Sequence, residues 1–499
     1  MITRSANDPN DSHDSRDSNP APAATDVADQ RRVISAPSAL GICVASMIGS
    51  GIFAVTGQIG AVLVTPTNIF IAWIVAAVIA LAGALTLSEI AAMRPRASAQ
   101  YVAVHEMLGP TVGYLNGMIT LLIGYLASMA AVALIAGSYL QSLVPWADPR
   151  MAATVLLLGL GAIHAATVLG GTRLNDALVV LKVGVVLLLV VAGFAIVPEV
   201  FVPTAEVVEA ARAMDPASVL ATVPLGAAPD TIDEHLRAAT GPPIWSGAIG
   251  AAVVSITFAY LGWSNAADVA GEVRNPGRNV PIAIVGSVLS VGVLYLLVNV
   301  VYLRVVPPAA MVEVGQDGGL QPMTSIGAVV AERLLGPVGG RLVTGSIVLL
   351  LASTLSVAVM TCGRVIAAMA WKGELPKPAG RLNPKGAPTI AILVQIAASI
   401  GIVWITGLKA LLEYVGVLVT IAVALTMASA ILFRWRRPEE PRPFRMPLYP
   451  APPLISIALG VWLVTSAAIE DWRPVAASVT TLAAMLAARP LLQSRTPAD

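Results

Sequence analysis

The sequence predicts an all-α membrane protein of about twelve transmembrane helices. Hydrophobic residues occupy 57% of the 499 positions and charged residues only 12%, whereas soluble proteins average about 45–50% and about 25%. The hydrophobic residues also form long runs between charged or Pro-rich breaks, and roughly 20 apolar residues cross a bilayer as a helix. One helical membrane domain therefore explains both the composition and the pattern.

The apolar runs define the individual helices of a membrane domain that covers residues 37–491. The predicted spans lie near residues 38–63, 67–92, 112–142, 151–169, 175–197, 245–270, 280–306, 341–371, 388–407, 410–433, 453–470 and 474–490. The run from Met323 to Leu335 is expected to form a short helix outside the bilayer.

Three segments are predicted to lie outside these helices. Residues 1–36 are rich in Asp, Ser, Asn and Pro, a composition that favours a disordered tail. This tail lacks the form of a cleavable signal, because the first apolar run starts only after Pro37. Residues 198–243 are expected to form a long, acidic external loop, with a binding role as the alternative, and residues 492–499 a short cytoplasmic tail.

Basic residues indicate the orientation of the chain in the membrane. Most of the 30 Lys and Arg residues fall in the tails and in alternate loops, and such residues near helix ends stay in the cytoplasm. We therefore expect a multi-pass protein of the plasma (inner) membrane with both termini in the cytoplasm. The net charge of +1 gives no sign of a nucleic-acid partner.

Enzymatic and metal sites are not expected in this sequence. Cys43 and Cys362 both lie in apolar runs, where they suit neither a disulfide framework nor a zinc cluster. No spacing typical of metal ligands, no Gly-rich phosphate loop and no Ser/His/Asp arrangement is present. We expect no cofactor and no enzymatic activity. His164 in the fourth span is interpreted as an interior residue whose hydrogen bonds are satisfied, with a proton relay as the alternative. Glu89 is expected to form an ion pair at the membrane interface.

The first span contains two glycines near its middle. In the run Ile48-Gly49-Ser50-Gly51-Ile52 each glycine weakens a helix by about 1 kcal/mol. Irregular backbone at that depth is tolerated only where protein or a cavity surrounds it, and freed N–H groups there would suit a carboxylate. The alternative is that the small residues form a helix-packing face.

The sixth span has a comparable interruption at Phe258-Ala259-Tyr260-Leu261-Gly262-Trp263. Two interrupted spans at corresponding positions of two halves are typical of an inverted-repeat transporter whose site lies between the repeats. Carbonyl groups of the sixth span could accept an ammonium group while the amides of the first span hold a carboxylate. The pair would therefore suit a zwitterion.

Lys182 stands alone among Val and Leu in the fifth span. An ammonium group inside a membrane costs roughly 2.5–3.5 kcal/mol or more, so such residues usually face the protein interior and have a function. Burial disfavours the charged form, which would allow Lys182 to exchange a proton. The alternative is that its side chain reaches the cytoplasmic surface.

At these residues the sequence resembles the amino acid, polyamine and organocation superfamily, and within it the L-type amino acid transporter branch. Gly49 to Phe53 is similar to the family's first-helix break. Phe258 to Trp263, continued by Glu272 to Ile284, is similar to its sixth-helix signature. Arg364 with Gly373 to Pro376, and the segment from Arg442 to Pro447, are also similar to family motifs. The resemblance therefore extends over nearly all of the membrane domain.

The resemblance implies a LeuT-like fold of five-plus-five inverted repeats with discontinuous helices 1 and 6. It also implies transport by alternating access of an amino acid that is expected to be neutral. The substrate carboxylate would meet amides around Ile48, Gly49, Ser50 and Gly51, and its ammonium would meet carbonyls near Phe258, Ala259 and Tyr260. Ile52, Gly262 and Trp263 complete the predicted substrate-binding residues. Phe258 would also act as an aromatic gate. Lys182 matches a lysine that replaces a sodium ion, which implies sodium-independent proton symport or exchange.

The resemblance also bears on partners and rival functions. Relatives that pair with a glycoprotein use a cysteine after the third span, and residues 142–150 contain none. We therefore expect no disulfide-linked heavy chain. The expected partners are an amino acid substrate, the lipid bilayer and protons. A polyamine or organic cation carrier and a non-transporting amino acid sensor are the alternatives.

Overall fold

A computed structural model of the chain describes residues 34–95, 99–166, 172–196, 242–243, 246–268, 270–314, 320–371, 375–384 and 386–492. Nearly all of the predicted N-terminal tail, the 198–243 loop and the C-terminal tail lie outside these residues. At the end of the predicted N-terminal tail, Ile34 forms a parallel bridge with Val273. The Ser35 side chain then caps the first helix.

The described residues are mostly helical. The helices are α1 (Ala36–Met47), α2 (Ser50–Leu63), α3 (Pro66–Met93), α4 (Ala99–Leu108), α5 (Pro110–Ile119), α6 (Ser128–Leu143), α7 (Pro149–Ala166), α8 (Thr172–Ala195), α9 (Gly247–Ala259), α10 (Asn265–Asp268), α11 (Pro276–Val305), α12 (Ile326–Trp371), α13 (Thr389–Ile405), α14 (Leu408–Arg436), α15 (Ala451–Glu470) and α16 (Trp472–Leu492). A π-helical segment, Thr120–Ala127, joins α5 to α6.

The lengths and composition of these helices are those of a multi-pass membrane protein. Among the described residues, eight helical segments are long and apolar enough to cross a membrane. Leu181–Ala195, Gly247–Ala259 and Thr389–Ile405 are shorter apolar helices. The all-α class is thus confirmed in outline, and the number of twelve crossings stays a prediction.

The centre of the bundle is formed by α2 and by its neighbour α9. Nearly every residue of α2 is buried, which is typical of a helix that other helices surround on all sides. α9 packs against α2, α3, α14 and α15, and α11 packs against both α1 and α3. α12 completes the surroundings by packing against α6 and α8. These contacts place the two predicted interruptions in the interior of the protein.

The long α12 contains a sharp bend at Gly336. Gly336 has φ 71°, a left-handed conformation that glycine adopts without strain, and Pro337 follows it. The bend separates a short first helix from the longer segment that ends at Trp371. The short helix predicted between Met323 and Leu335 is therefore present. Its position relative to the bilayer stays a prediction.

The end of the bundle where α3 ends and α4 begins is held together by ion pairs. Arg434 of α14 binds Glu89 of α3 through two hydrogen bonds, with Nε 2.8 Å from Oε1 and Nη2 2.5 Å from Oε2. The Met446 N–H also donates to Glu89 at 2.7 Å. Glu89 is buried, so these contacts compensate a charge that would otherwise be costly. The predicted ion pair at Glu89 is confirmed.

A short antiparallel hairpin lies at the other end of the bundle, between α11 and α12. Its strands are β1 (Val312–Val314) and β2 (Leu320–Pro322). The Glu313 carboxylate accepts the Thr324 N–H at 3.2 Å. The Gln58 side chain of α2 donates to the Thr324 hydroxyl at 2.9 Å. These contacts join the hairpin and the start of α12 to the central helix α2.

Burial of Glu313 makes the stability of this end dependent on pH. Loss of water raises the pKa of Glu313 to about 7, and its hydrogen bonds with Thr324 offset part of the increase. The ordinary pKa of a glutamate is 4.5. As the pH rises between these values, the unfolded chain loses a proton that the folded chain retains. The free energy of unfolding therefore falls through that window, by up to roughly 3 kcal/mol, and is constant above it.

We predict that Glu313→Gln removes this contribution, because the amide does not titrate. The measurement is thermal unfolding of the purified protein in detergent at about pH 5 and about pH 8, on either side of the titration. The wild type should lose more stability between the two pH values than the variant does. Glu332→Gln, at an exposed glutamate of α12, is the control and should behave as the wild type. An equal pH dependence in the wild type and Glu313→Gln would contradict the assignment.

Candidate functional site

The first interruption lies between α1 and α2. α1 ends at Met47, Ile48 has φ −70° and ψ 88°, and α2 begins at Ser50. Gly49 precedes α2 without a side-chain cap. The first N–H groups of a helix have no partners within it, and Ile48 and Ser50 are buried. The start of α2 therefore presents N–H groups inside the protein, where an anionic group could bind.

The second interruption lies between α9 and α10. α9 ends at Ala259, and the chain turns through residues 260–264 before α10 begins at Asn265. Gly262 has φ +104°, and a Cβ atom there would lie 2.6 Å from the Ser46 Cβ. Both the backbone conformation and the available space therefore require glycine at this position.

The end of α1 packs against this second interruption and satisfies its backbone. The Cys43 thiol donates to the Trp263 carbonyl and accepts the Ala266 N–H, both at 3.3 Å. The Ser46 hydroxyl accepts a hydrogen bond from the Asn265 side chain at 2.8 Å. Cys43 is buried and provides hydrogen bonds that an alanine could not.

The start of α2 and the end of α9 approach each other closely. A Cβ atom on Gly51 would lie 2.3 Å from the Ala259 Cα, a distance that no side chain permits. By contrast, a Cβ atom on Gly49 would meet nothing nearer than the Thr354 methyl group at 3.7 Å. The two glycines therefore differ: Gly51 allows helix contact, and Gly49 lies in the break itself.

Tyr295 of α11 joins the two interruptions. Its hydroxyl oxygen lies 2.5 Å from the Met47 carbonyl and 3.0 Å from the Ala259 carbonyl, and it donates toward both. The aromatic rings of Trp73 and Tyr260 lie beside it, with centroid distances of 5.3 Å and 5.4 Å. Sequence reasoning missed Tyr295, because a single tyrosine in an apolar span has no spacing that would indicate a role.

Lys182 lies in the interior beside the first interruption. Its side chain is 3% exposed, and Nζ donates to the Thr354 hydroxyl at 2.7 Å and to the Ala45 carbonyl at 3.4 Å. Thr354 also lies next to Gly49. The side chain thus points toward the broken end of α1 rather than toward the surface, which is the geometry expected of an interior rather than a surface lysine.

The predicted site residues are brought together to different degrees. Within the run from Ile48 to Ile52, Gly51 lies against the end of α9 and Gly49 lies beside Thr354. The Phe258 carbonyl accepts the Leu261 N–H at 3.2 Å. The ring of Tyr260 lies between Tyr295 and Trp73 of α3, and the ring of Trp263 lies beside Gly83 of α3.

The arrangement offers two kinds of backbone group to one ligand. N–H groups at the start of α2 attract an anion, and carbonyl groups at the ends of α1 and α9 attract a cation. Each carbonyl oxygen has two lone pairs, so those that already accept one hydrogen bond can accept a second. Among the described residues no cluster of three His, Cys, Asp or Glu could hold a metal ion.

Comparison with known proteins gives a consistent result. A family model described as "Amino acid permease" matches residues 34–485. The serine/threonine exchanger SteT of Bacillus subtilis is 25% identical over 436 residues, which cover 87% of this chain and 90% of that protein. The large neutral amino acids transporter small subunit 2 of Rattus norvegicus is 26% identical, over 84% and 73% of the two chains.

A third relative is named for a sugar derivative rather than for an amino acid. The methylthioribose transporter of Bacillus subtilis is 25% identical over 471 residues, which cover 88% of this chain and 89% of that protein. The matches extend over nearly all of the chain, so they concern the whole transporter domain rather than one motif. The predicted resemblance to this superfamily, near the L-type branch, is confirmed.

We predict opposite outcomes for alanine substitutions at the two glycines of the first interruption. Gly51→Ala forces its methyl group into the backbone of α9 and should lower the free energy of unfolding by about 3 kcal/mol. Gly49→Ala, the matched control, finds space beside Thr354 and should cost less than about 1 kcal/mol. Thermal unfolding in detergent measures both. Equal stability of the two variants would contradict the close approach of α2 and α9.

Proposed function

Because the chain belongs to the amino acid permease family, we propose that it is a secondary transporter of neutral amino acids that is independent of sodium. Transport proceeds by proton symport or by exchange, with alternating access to a site between the two helix interruptions. The observation that carries the proposal is the close contact between the start of α2 and the end of α9. The Tyr295 hydroxyl links this contact to the end of α1, because it donates toward carbonyl groups of both α1 and α9. N–H and carbonyl groups thus lie side by side in the protein interior.

The substrate binds through its two charged groups. Its carboxylate accepts hydrogen bonds from the N–H groups around Ile48 to Ile52, where the helix dipole of α2 favours negative charge. Its ammonium donates to carbonyl groups near Phe258, Ala259 and Tyr260. The buried positions of these residues support the proposal, because hydrogen bonds to a charged group are stronger away from water. The Phe258 ring is the gate over the bound substrate.

Lys182 is the residue that couples transport to protons. Its ammonium occupies the place of a sodium ion between Thr354 and the broken end of α1. Loss of the proton would remove the positive charge from this point and weaken the contact with the Ala45 carbonyl, which would loosen α1. The short distance from Nζ to the Thr354 hydroxyl, which itself lies beside Gly49, supports a direct link between protonation and the substrate site.

The overall architecture completes the proposal. We infer twelve crossings in the five-plus-five inverted-repeat fold, with helices 1 and 6 discontinuous and both termini on the cytoplasmic side of the plasma membrane. Glu89 forms ion pairs with Arg434 and Arg442. These pairs lie at the end of the bundle whose loops are rich in basic residues and are therefore expected in the cytoplasm, which supports this orientation. No disulfide-linked heavy chain takes part.

Uptake into liposomes that contain the purified protein tests the proposal. Labelled serine and large neutral amino acids should enter or exchange without sodium, and the rate should depend on a proton gradient or on amino acid loaded inside. Methylthioribose is included as a competitor, since one relative bears that name. If no amino acid is transported or displaced under either condition, the proposed function is wrong.

We predict that Lys182→Ala abolishes the dependence of uptake on the proton gradient and slows uptake roughly tenfold, equivalent to about 1.4 kcal/mol in the barrier. The fold should remain, because alanine leaves no unpaired charge. Lys377→Ala, at an exposed loop lysine, is the control and should transport as the wild type. The proton role of Lys182 fails if its alanine variant responds to the gradient as the wild type does.

A further inference from the structure

A second polar region lies far along the bundle from the helix interruptions. At the end where α14 begins and α15 ends, α9, α14, α15 and α16 line a cavity of about 400 Å³ that is open to the surface. Its lining shares no residue with the two interruptions. Small-molecule sites typically measure about 300–1,000 Å³, so the cavity has the size of a site for a small ligand or a lipid headgroup.

Five charged side chains line this cavity, and the described part of the chain holds no ion pair for any of them. The three carboxylates and two cations are Glu413, Glu470, Asp471, Lys409 and Arg473. Adjacent opposite charges normally pair where geometry permits. Here they surround a space instead, so both signs of charge remain available to a ligand.

Glu413 is the unusual member of this group. It is only 9% exposed, it lines the cavity, and no hydrogen bond to its carboxylate is found in the described residues. Glu470 and Asp471 add further negative charge to its surroundings, and Lys409 opposes them. The surrounding helices shield most of this residue, while its carboxylate oxygens are absent from the buried atoms that lack a partner and so face the cavity. An ammonium group in the cavity would therefore bind Glu413 more strongly than it would bind a fully hydrated carboxylate.

The remaining lining indicates what else the ligand carries. Lys409 and Arg473 are exposed at the rim, where their side chains can bind an anionic group. Trp472 is 67% exposed and Ile469 81%, and exposed tryptophans of membrane proteins often lie at the level of lipid headgroups. A ligand with both an ammonium and an anionic group, separated by a few atoms, matches the two kinds of charge.

We propose that this cavity binds a zwitterion with a primary ammonium group, which Glu413 receives while Arg473 and Lys409 hold the anionic group. The ligand is either a free amino acid or the headgroup of phosphatidylethanolamine. Both carry an ammonium that donates hydrogen bonds, next to a carboxylate or a phosphate. Phosphatidylcholine lacks N–H groups and so cannot replace that ammonium.

The test is the unfolding temperature of the purified protein in detergent with added phosphatidylethanolamine, phosphatidylcholine or L-serine. In the wild type, phosphatidylethanolamine or L-serine should raise the unfolding temperature by several degrees, and phosphatidylcholine should not. Glu413→Gln should lose this increase, because the amide carries no negative charge. Glu332→Gln, an exposed glutamate outside the cavity, should keep it.

The results distinguish a lipid headgroup from a free amino acid as the ligand, and the cavity from the site between the helix interruptions. A phosphatidylethanolamine effect that Glu413→Gln loses assigns a lipid headgroup, and a serine effect that it loses assigns a free amino acid. If neither ligand stabilises the wild type, or if every increase persists in Glu413→Gln, the proposal is wrong. Uptake into liposomes is a separate measurement. If the wild type transports no amino acid, the effect of phosphatidylethanolamine on the unfolding temperature can still be interpreted.

Arg473→Gln provides a second variant in case Glu413→Gln does not fold. Arg473 is exposed, so its substitution should preserve the fold while it weakens the anionic end of the site. The increase in unfolding temperature should then be at most half that of the wild type. An undiminished increase would contradict the proposal. Native mass spectrometry gives an independent readout, since the wild type should retain one more phosphatidylethanolamine than this variant.

Discussion

The structure depends on how the backbone of two interrupted helices is satisfied in the absence of water. A broken helix frees N–H and C=O groups, and each unpaired group in an apolar interior costs several kcal/mol. Tyr295 donates toward the last carbonyls of both α1 and α9. The Cys43 thiol satisfies a carbonyl and an N–H at the second break. These contacts make the interruptions part of the fold rather than defects.

The same contacts explain why the two breaks could act as one site. Tyr295 fixes the ends of α1 and α9 against a single hydroxyl, while Gly51 lets the start of α2 approach α9 without a side chain between them. Carbonyl and N–H ends thus lie together at the centre, with Lys182 beside them on Thr354. A zwitterion matches this arrangement in charge, and the central position of α2 isolates it from lipid.

The sequence predicted the helical class, most helix positions and both interruptions, because glycine runs inside long apolar segments are conspicuous. It did not predict the partners of the freed backbone. Tyr295 and Cys43 belong to residue types that ordinarily serve as packing in apolar spans, so only their position in three dimensions reveals the hydrogen bonds. The hairpin at Glu313 and helix α4 were also missed, because both are short and lie between spans whose hydrophobic signal dominates.

The most direct test of this account compares Tyr295→Phe with Tyr302→Phe. Both tyrosines lie on α11, both are fully buried, and both substitutions remove only a hydroxyl. The Tyr302 hydroxyl has no hydrogen-bond partner in the described residues, whereas that of Tyr295 lies within reach of two carbonyls. Unfolding temperature and amino acid uptake are measured for each variant in parallel with the wild type. The account predicts that Tyr295→Phe loses about 1–3 kcal/mol of stability and most of its uptake, while Tyr302→Phe resembles the wild type. Equal behaviour of the two variants would contradict it.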